Sequence, residues 1–393
     1  MKGLFYCRRF TGFGPTRFQP SSAPPAAHQV GAPRPALLRR CVREECPRRP
    51  GVYGMVDAEG ELIYVGKAKC LRTRLASYFR PRSRNPKAGH ILEHTATLVW
   101  EFVPSEFAAL LRELELIHRW RPRFNVQGQP GRYRRTYVCL GRQPAPHAFL
   151  ARQPPAGALA SFGPVPAGTR ATDAVRRLND WFGLRDCPQA QEMLFADQAE
   201  LFPVVRVAGC IRHEIGTCLG PCAGACTRSA YGERVRAARA FLEGSDHSPL
   251  HALERDMTTA AVAEAFERAA ALRDKLVSLR WLQEQITRLR DAQEGQSFIY
   301  PVRGHGGQNM WYFIDRGRVA AVLAAPRVQA GRRAAAEAIS AVFAENQSGI
   351  RPSGTEEMDA LLLVAAWFRR YPDERRRTLD PAEFLHATSQ APV

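Results

Sequence analysis

Two short stretches alternate apolar and polar positions as strands do. They are GVYGMV, from Gly51 to Val56, and ELIYVG, from Glu61 to Gly66, both rich in β-branched and aromatic residues. DAEG between them makes a four-residue hairpin loop. If Val56 pairs with Glu61, the antiparallel register sets Tyr53 directly across from Tyr64, so both rings share a face. The pattern then changes period. From Cys70 to Phe79, Leu71, Leu75 and Phe79 form one helical stripe, with Arg74 and Tyr78 at i, i+4 on a neighbouring face. TLVWEFV reads as a third strand. Pro104 opens a helix through Trp120, ended by Pro122, whose apolar stripe is Phe107, Leu110, Leu111, Leu114 and Ile117. Glu113 falls at the edge of that stripe, Glu115 at the opposite edge, and Glu106 two turns away on the Glu113 side.

These elements predict a small α/β sandwich with a short, mainly antiparallel sheet over residues 46–127. Beyond it the pattern predicts a multi-domain α/β chain: a basic connecting segment (128–186), a cysteine-rich region (187–228), a helical hairpin (250–290) and a C-terminal α+β segment (296–393). Residues 1–45 are free of acidic side chains until Glu44 and rich in Pro, Ser and Arg. They read as a disordered basic extension outside the fold. The longest apolar run, Ala360 to Phe368, is about half the ~20 residues that span a bilayer, so no membrane partner is expected.

Charge sharpens this picture. The 393 residues carry a formal net charge of +18 and a pI near 10.0. Such a balance points to a polyanionic partner, most simply nucleic acid. No Asp or Glu occurs from Leu116 to Thr172, while nine arginines accumulate there, Arg132, Arg134 and Arg135 among them; these three are the candidate DNA contacts. GELIYVGKA is not a phosphate loop, because Gly60 and Gly66 are one residue too far apart and Ala68 stands where Ser or Thr must reach magnesium.

The same residues suit phosphodiester hydrolysis. Water must lose a proton, charge on the phosphoryl oxygens must be stabilised, and the leaving oxygen must be neutralised. Arg74 can clamp the phosphate. A tyrosine whose pKa is lowered by nearby Lys67 can accept the proton. Glu113 can hold one divalent ion, and a single favoured carboxylate predicts a one-metal site. Taken singly, strand tyrosines are packing groups and Lys67 and Arg74 are surface cations; it is their convergence that carries the reading. Ten cysteines, half of them between Cys187 and Cys226, predict a metal site in a reducing, cytoplasmic compartment. Four thiolates hold either zinc or an iron–sulfur cluster. The spacing lacks the CxxC pairs of a zinc ribbon.

GVY, YVGKAKCLRTRLASYF and ALLRELELIHRWRPRFNV resemble the GIY-YIG nuclease domain in the form found in UvrC-type excinuclease subunits. FGPVPAGTRATDAVRRLNDWFGLRDC, CIRHEIGTCLGPC and EAFERAAALRDKL are similar to successive segments of that family in the same order, over roughly residues 46–285. The resemblance implies Tyr53 and Tyr64 as motif tyrosines, Lys67 as motif lysine, Arg74 as phosphate ligand and Tyr78 as helical tyrosine. It implies Glu113 as the Mg2+ or Mn2+ ligand and Asn125 as a structural asparagine. It also implies a cut on the 3′ side of a lesion in double-stranded DNA, and a 4Fe–4S cluster on Cys187, Cys210, Cys218 and Cys222, with Cys226 as spare. The hairpin resembles the UVR motif, which implies docking to a UvrB-like helicase with Phe266 as anchor. The chain departs from the family where the latter continues into an RNase H-like nuclease. Residues 297–323 resemble only its opening strands, so a Cho-like layout with a single incision is expected. The rival reading is a non-catalytic adaptor that binds DNA and the helicase.

Overall fold

The computed structural model describes residues 9–19, 27–31, 35–79, 86–125, 135–188, 190–198, 210–295, 297–344 and 355–389. The chain divides into two compact units, Met1–Arg132 with Ala292–Val393, and Tyr133–Asp291.

The first unit is built on a four-stranded antiparallel sheet. Its strands are β1 (His28–Gly31), β2 (Gly51–Val56), β3 (Leu62–Ala68) and β4 (Thr97–Phe102), in the order β1-β4-β2-β3. Helices α1 (Pro35–Glu45), α2 (Leu71–Tyr78) and α3 (Pro86–Glu93) accompany it, and Leu38, Val42, Leu71, Leu75 and Ile91 pack with Tyr53, Met55, Leu98 and Trp100 in one apolar cluster. Helix α4 (Glu106–Trp120) joins Val52, Val65 and Val99 through Phe107 and Leu111 in a second cluster. Ser105 caps α4 by accepting from the Ala108 amide, and Arg121, left-handed at φ 50°, ends it before Pro122.

Three expectations change here. First, the described part of the N-terminal extension is folded. β1 pairs with β4, α1 buries Leu38 and Val42, and Phe13 and Phe18 enter the core. Its low acidity misled, because apolar anchors spaced among Pro and Arg are enough to hold a strap. Second, the C-terminal segment does not stand apart. Strands β8 (Phe298–Val302), β9 (Met310–Asp315) and β10 (Arg318–Ala324) form an antiparallel sheet in the order β10-β9-β8, and α10 (Gln329–Ala344) and α11 (Thr355–Arg370) pack with it. Short α12 (Pro372–Arg375) and α13 (Pro381–Ser389) follow. The ring of Phe107 meets those of Tyr300, Tyr312 and Trp367 at 5.2, 5.0 and 5.4 Å, and His118 Nε2 lies 3.1 Å from Asp359 Oδ2. Third, α4 is therefore covered on more than one side. Leu116 and Arg112 are buried, while Leu110 and Leu114, assigned to the stripe, are only half-buried.

Arg112 is the unexpected core residue. It donates to both oxygens of Glu101, to Glu115 and to the carbonyls of Gly14 and Pro15. A buried guanidinium is tolerated because its donors are matched by acceptors. Arg119 also donates to the Phe13 and Pro15 carbonyls, so the strap is tied along α4.

In the second unit the presumed linker is a folded sheet. β5 (Arg135–Gly141), β6 (His147–Ala151) and β7 (Ala158–Pro166) lie in the order β6-β5-β7, all antiparallel. Helix α5 (Thr169–Phe182) packs on β6, and Asn179 both donates to and accepts from the Ala148 backbone, at 2.9 and 3.0 Å. A short turn α6 (Ile211–Glu214) and helix α7 (Arg228–Glu243) follow, then the hairpin α8 (Ser248–Val262) and α9 (Phe266–Glu294). Val138, Leu140, Leu178, Phe182, Phe241, Leu253 and Leu279 share the core of this unit.

Candidate active site

The hairpin register differs from the simple prediction. Tyr53 pairs with Gly66, and Tyr64 pairs with Met55, because Val56 pairs with Leu62 instead of Glu61 and a bulge between Met55 and Val56 shifts the ladder by one residue more. The two tyrosines are therefore diagonal neighbours on one face, with ring centroids 6.1 Å apart. The register also explains Gly66. A Cβ there would collide with the Tyr53 hydroxyl, so the ring lies over a residue that must be glycine.

Helix α2 brings its own side chains to this face. The Tyr53 and Tyr78 hydroxyls are 2.9 Å apart, and Arg74 Nε donates to the Tyr53 hydroxyl at 3.1 Å. The Arg74 guanidinium carbon also sits 5.3 Å from the centroid of the Tyr78 ring. Tyr53 is fully buried, Tyr64 half-buried and Arg74 exposed. Burial raises both motif tyrosines above the ordinary phenol range, and neighbouring tyrosines add to this; Arg74 only partly opposes it. The expectation that Lys67 lowers a tyrosine is thus corrected. The Lys67 amine is engaged elsewhere, 3.3 Å from Glu106 Oε1.

Glu113 reaches the same place from α4. Its Oε1 accepts from the Lys67 amide at 3.1 Å. Burial pushes its carboxyl up to about 7, against the opposing pull of Lys67 and Arg74. Its charge in turn holds the proton on Tyr64. Tyr53, Tyr64, Arg74 and Glu113 therefore share one electrostatic environment. Glu115 is ruled out by its bond to Arg112, and Glu106 by its two lysines, Lys67 and Lys69. A single carboxylate, held part-neutral by burial, fits a hard divalent ion that keeps waters and takes its remaining ligands from a phosphate. Asn125 is buried at the edge of the sheet. It accepts from the Val65 amide and donates to the Val65 carbonyl, both at 2.8 Å, and so fixes the strand residue next to Tyr64.

Residues 49–126 match the family model described as the UvrC-like GIY-YIG domain. Residues 136–241 match the UvrC/Cho excinuclease middle domain, and 248–280 the UvrB/uvrC motif. The chain carries the modules of a UvrC-type subunit. It is 36% identical over 240 residues to the UvrABC system protein C of Pseudomonas syringae pv. syringae, and 32% identical over 243 residues to that of Syntrophomonas wolfei. These matches cover 61% and 62% of the chain but only 38% of each relative, so the chain spans less than half the length of the curated relatives it matches. Among solved structures, the GIY-YIG N-terminal endonuclease domain of UvrC from Thermotoga maritima, bound to its catalytic magnesium, is 37% identical. The match covers 23% of this chain and 97% of that one, with a TM-score of 0.21.

The other UvrC-like features are less closely assembled. At the hairpin tip, Phe266 is 67% and Val262 80% exposed, beside a left-handed Glu264. Arg135 opens β5, whereas Arg132 and Arg134 lie outside the described residues. In the cysteine region burial raises Cys187, Cys218 and, to about 11, Cys226; the Cys222 thiol adds to the rise in all three, and Arg185 and Arg212 oppose it at Cys187 and Cys218. Cys210 stands at the N-terminus of α6. Among the described residues no three Cys, His, Asp or Glu side chains converge as metal ligands. The donor chemistry suits a thiolate-bound centre, but the arrangement does not close a cage. No described helix is long and apolar enough to cross a membrane.

Proposed function

We propose that this protein is a metal-dependent DNA endonuclease of nucleotide excision repair that hydrolyses one phosphodiester, on the 3′ side of a lesion. The observation that carries this reading is the convergence of Arg74, the Tyr53–Tyr78 pair, Tyr64 and the part-neutral Glu113 on one face. A bound Mg2+ or Mn2+ supplies positive charge beside the phosphate and lowers the pKa of its water. Glu113 holds that ion. Arg74, fixed by Tyr53 and stacked near Tyr78, grips the non-bridging oxygens. Tyr53 is sealed off and bonded on two sides, so it serves as a strut. Tyr64 keeps solvent access and is the phenol able to take a proton, once positive charge offsets the burial and the Glu113 charge that hold its own proton in place. Lys67 orients Glu113 through its amide.

The test is incision of a lesion-bearing duplex with UvrA, UvrB and magnesium. Glu113→Gln should cut about 10³-fold more slowly, in line with several kcal/mol of lost charge stabilisation. Equal rates for the variant and the parent would remove Glu113 from the site. Intact DNA binding with no cutting by either protein would favour the adaptor.

We further propose that the exposed tip around Phe266 docks a UvrB-like helicase, and that Arg132, Arg134 and Arg135 contact DNA. The cysteine region is proposed to hold a 4Fe–4S cluster, with zinc as rival. Its support is the density of thiols between Cys187 and Cys226, with Cys187, Cys210, Cys218 and Cys222 as the expected ligands and Cys226 as a spare able to displace Cys187. Anaerobic purification should give absorbance near 400 nm and iron; colourless protein carrying one zinc would decide for the rival.

A further inference from the structure

Beside the nuclease pocket the two lysines of the YVGKAK stretch share one carboxylate. Lys67 Nζ lies 3.3 Å from Glu106 Oε1, and Lys69 Nζ lies 2.8 Å from Glu106 Oε2. Burial would push Glu106 up, but the hydrogen bonds and charges of Lys69 and Lys67 more than reverse it. Two ammonium groups on the two oxygens of one anion is also how a phosphodiester is gripped by its non-bridging oxygens. The group of three keeps a net positive charge, and the Lys69 side chain is 69% exposed.

A held aromatic ring lies on the other side of Lys69. The Lys69 amine is 5.8 Å from the centroid of the Tyr371 ring. Tyr371 packs on Trp367 with centroids 4.4 Å apart, and the Arg370 guanidinium carbon is 5.5 Å from the Tyr371 ring. Trp367 is itself fixed, because its indole N–H donates to the Tyr300 hydroxyl at 3.2 Å, and that hydroxyl donates to Glu374 at 2.9 Å. Tyr371 nevertheless remains half-exposed. Both residues sit in the first unit, and Lys67 links them to Glu113 through its amide. Cations interleaved with a rigid, accessible ring are the chemistry of a single-strand track, where phosphates meet the charges and a base stacks on the ring.

We propose that Lys69 and Tyr371 form a strand-binding subsite next to the nuclease pocket, in which a backbone phosphate displaces Glu106 from Lys69 and an unpaired base stacks on Tyr371. The subsite rests on the nuclease reading for its place along the strand, and it gives the C-terminal segment a role in holding substrate. Lys69 and Tyr371 are positioning residues that act on binding and leave the reacting atoms alone.

The experiment is fluorescence anisotropy of an end-labelled single-stranded DNA and of a duplex with an unpaired bubble, across a salt series, with incision measured in parallel. Lys69→Ala should lower the slope of log affinity against log salt by about 0.7–0.9, the value of one phosphate contact. Tyr371→Ala should weaken binding about 5- to 150-fold, as the loss of one base stack does, while Tyr371→Phe retains it. Glu106→Gln should tighten binding. In incision, Lys69→Ala and Tyr371→Phe should keep the parental kcat, with KM raised in the former only. An unchanged affinity and salt slope in Lys69→Ala, or Tyr371→Phe binding as weakly as Tyr371→Ala, would overturn the proposal. Glu113→Gln should bind like the parent. A parent that binds through Lys69 and Tyr371 but never cuts would sink the nuclease reading and leave the subsite standing.

Discussion

In the candidate active site, buried Tyr53 is bonded to Tyr78 and Arg74, and Glu113 to the Lys67 amide. In the cysteine region, burial lifts Cys187, Cys218 and Cys226, and Arg185 at Cys187 and Arg212 at Cys218 oppose it only in part. The first place is organised by the protein's own hydrogen bonds and lacks one positive charge. The second gathers thiols whose burial Arg185 and Arg212 offset only in part. A pocket of the first kind is pre-formed and takes up its ion at little cost in reorganisation. A centre of the second kind couples metal binding to local folding.

What pre-forms the pocket is the packing of α4, and the sharpest way to break the contrast is Phe107→Ala. Phe107 is fully buried against Tyr300, Tyr312 and Trp367. Removing it should cost about 3–5 kcal/mol, as Phe→Ala does in cores. Hydrogen exchange should show α4 and β8 losing protection while α7, in the other unit, keeps its own. Equal loss in α7 would mean that the pocket has no separate source of order.

The convergence of Tyr53, Tyr64, Arg74 and Tyr78 on one face was legible because most of it is local. Tyr53 to Tyr78 spans one hairpin and one helix, and alternation followed by a helical stripe set their faces. The register was not legible, since the Val56–Leu62 pairing and the bulge at Met55 shift it by one residue each, and together they move Tyr53 onto Gly66 without changing its face. Phe107 was read as a stripe residue, which it is, but a stripe does not say what covers it. Its partners lie some 190 to 260 positions away. Arg112 gave no warning either: its acceptors include two carbonyls of the strap. The odd charge in TLVWEFV was the available signal. A Glu in a buried strand demands a cation, and Glu101 has one.

The two units share one device that allows a controlled comparison. Asn125 and Asn179 each bridge the amide and carbonyl of one residue on an edge strand, Val65 on β3 and Ala148 on β6. Each Asn→Ala change leaves buried backbone groups unpaired and should cost about 1–3 kcal/mol in chemical unfolding. The consequences should then part. Asn125→Ala frees the residue beside Tyr64 and should slow incision beyond its effect on stability. Asn179→Ala should slow it only by the fraction unfolded. The same incision loss in both would mean that Asn125 has no positioning role.

The smallest expected effect bears most directly on the missing charge. Glu113 is raised to about 7, above its ordinary carboxyl value, by burial. Below about pH 7 the metal-free pocket holds a proton there, and a divalent ion must displace it. The affinity for Mn2+, read by calorimetry or by Mn2+ electron resonance, should therefore fall by up to about tenfold per pH unit below pH 7 and level off above it. The sign for stability is the opposite. The unfolded chain gives up this proton near its ordinary value of 4.5 and the folded chain near 7, so between those values the folded state binds more protons. In metal-free protein the contribution of Glu113 to stability should decline as pH rises through that window, and Mn2+ should restore it. Glu113→Gln should abolish both trends together. If the variant keeps the parental pH dependence of Mn2+ binding, the ion sits elsewhere, and the pocket's self-sufficiency has another cause than a carboxylate waiting for charge.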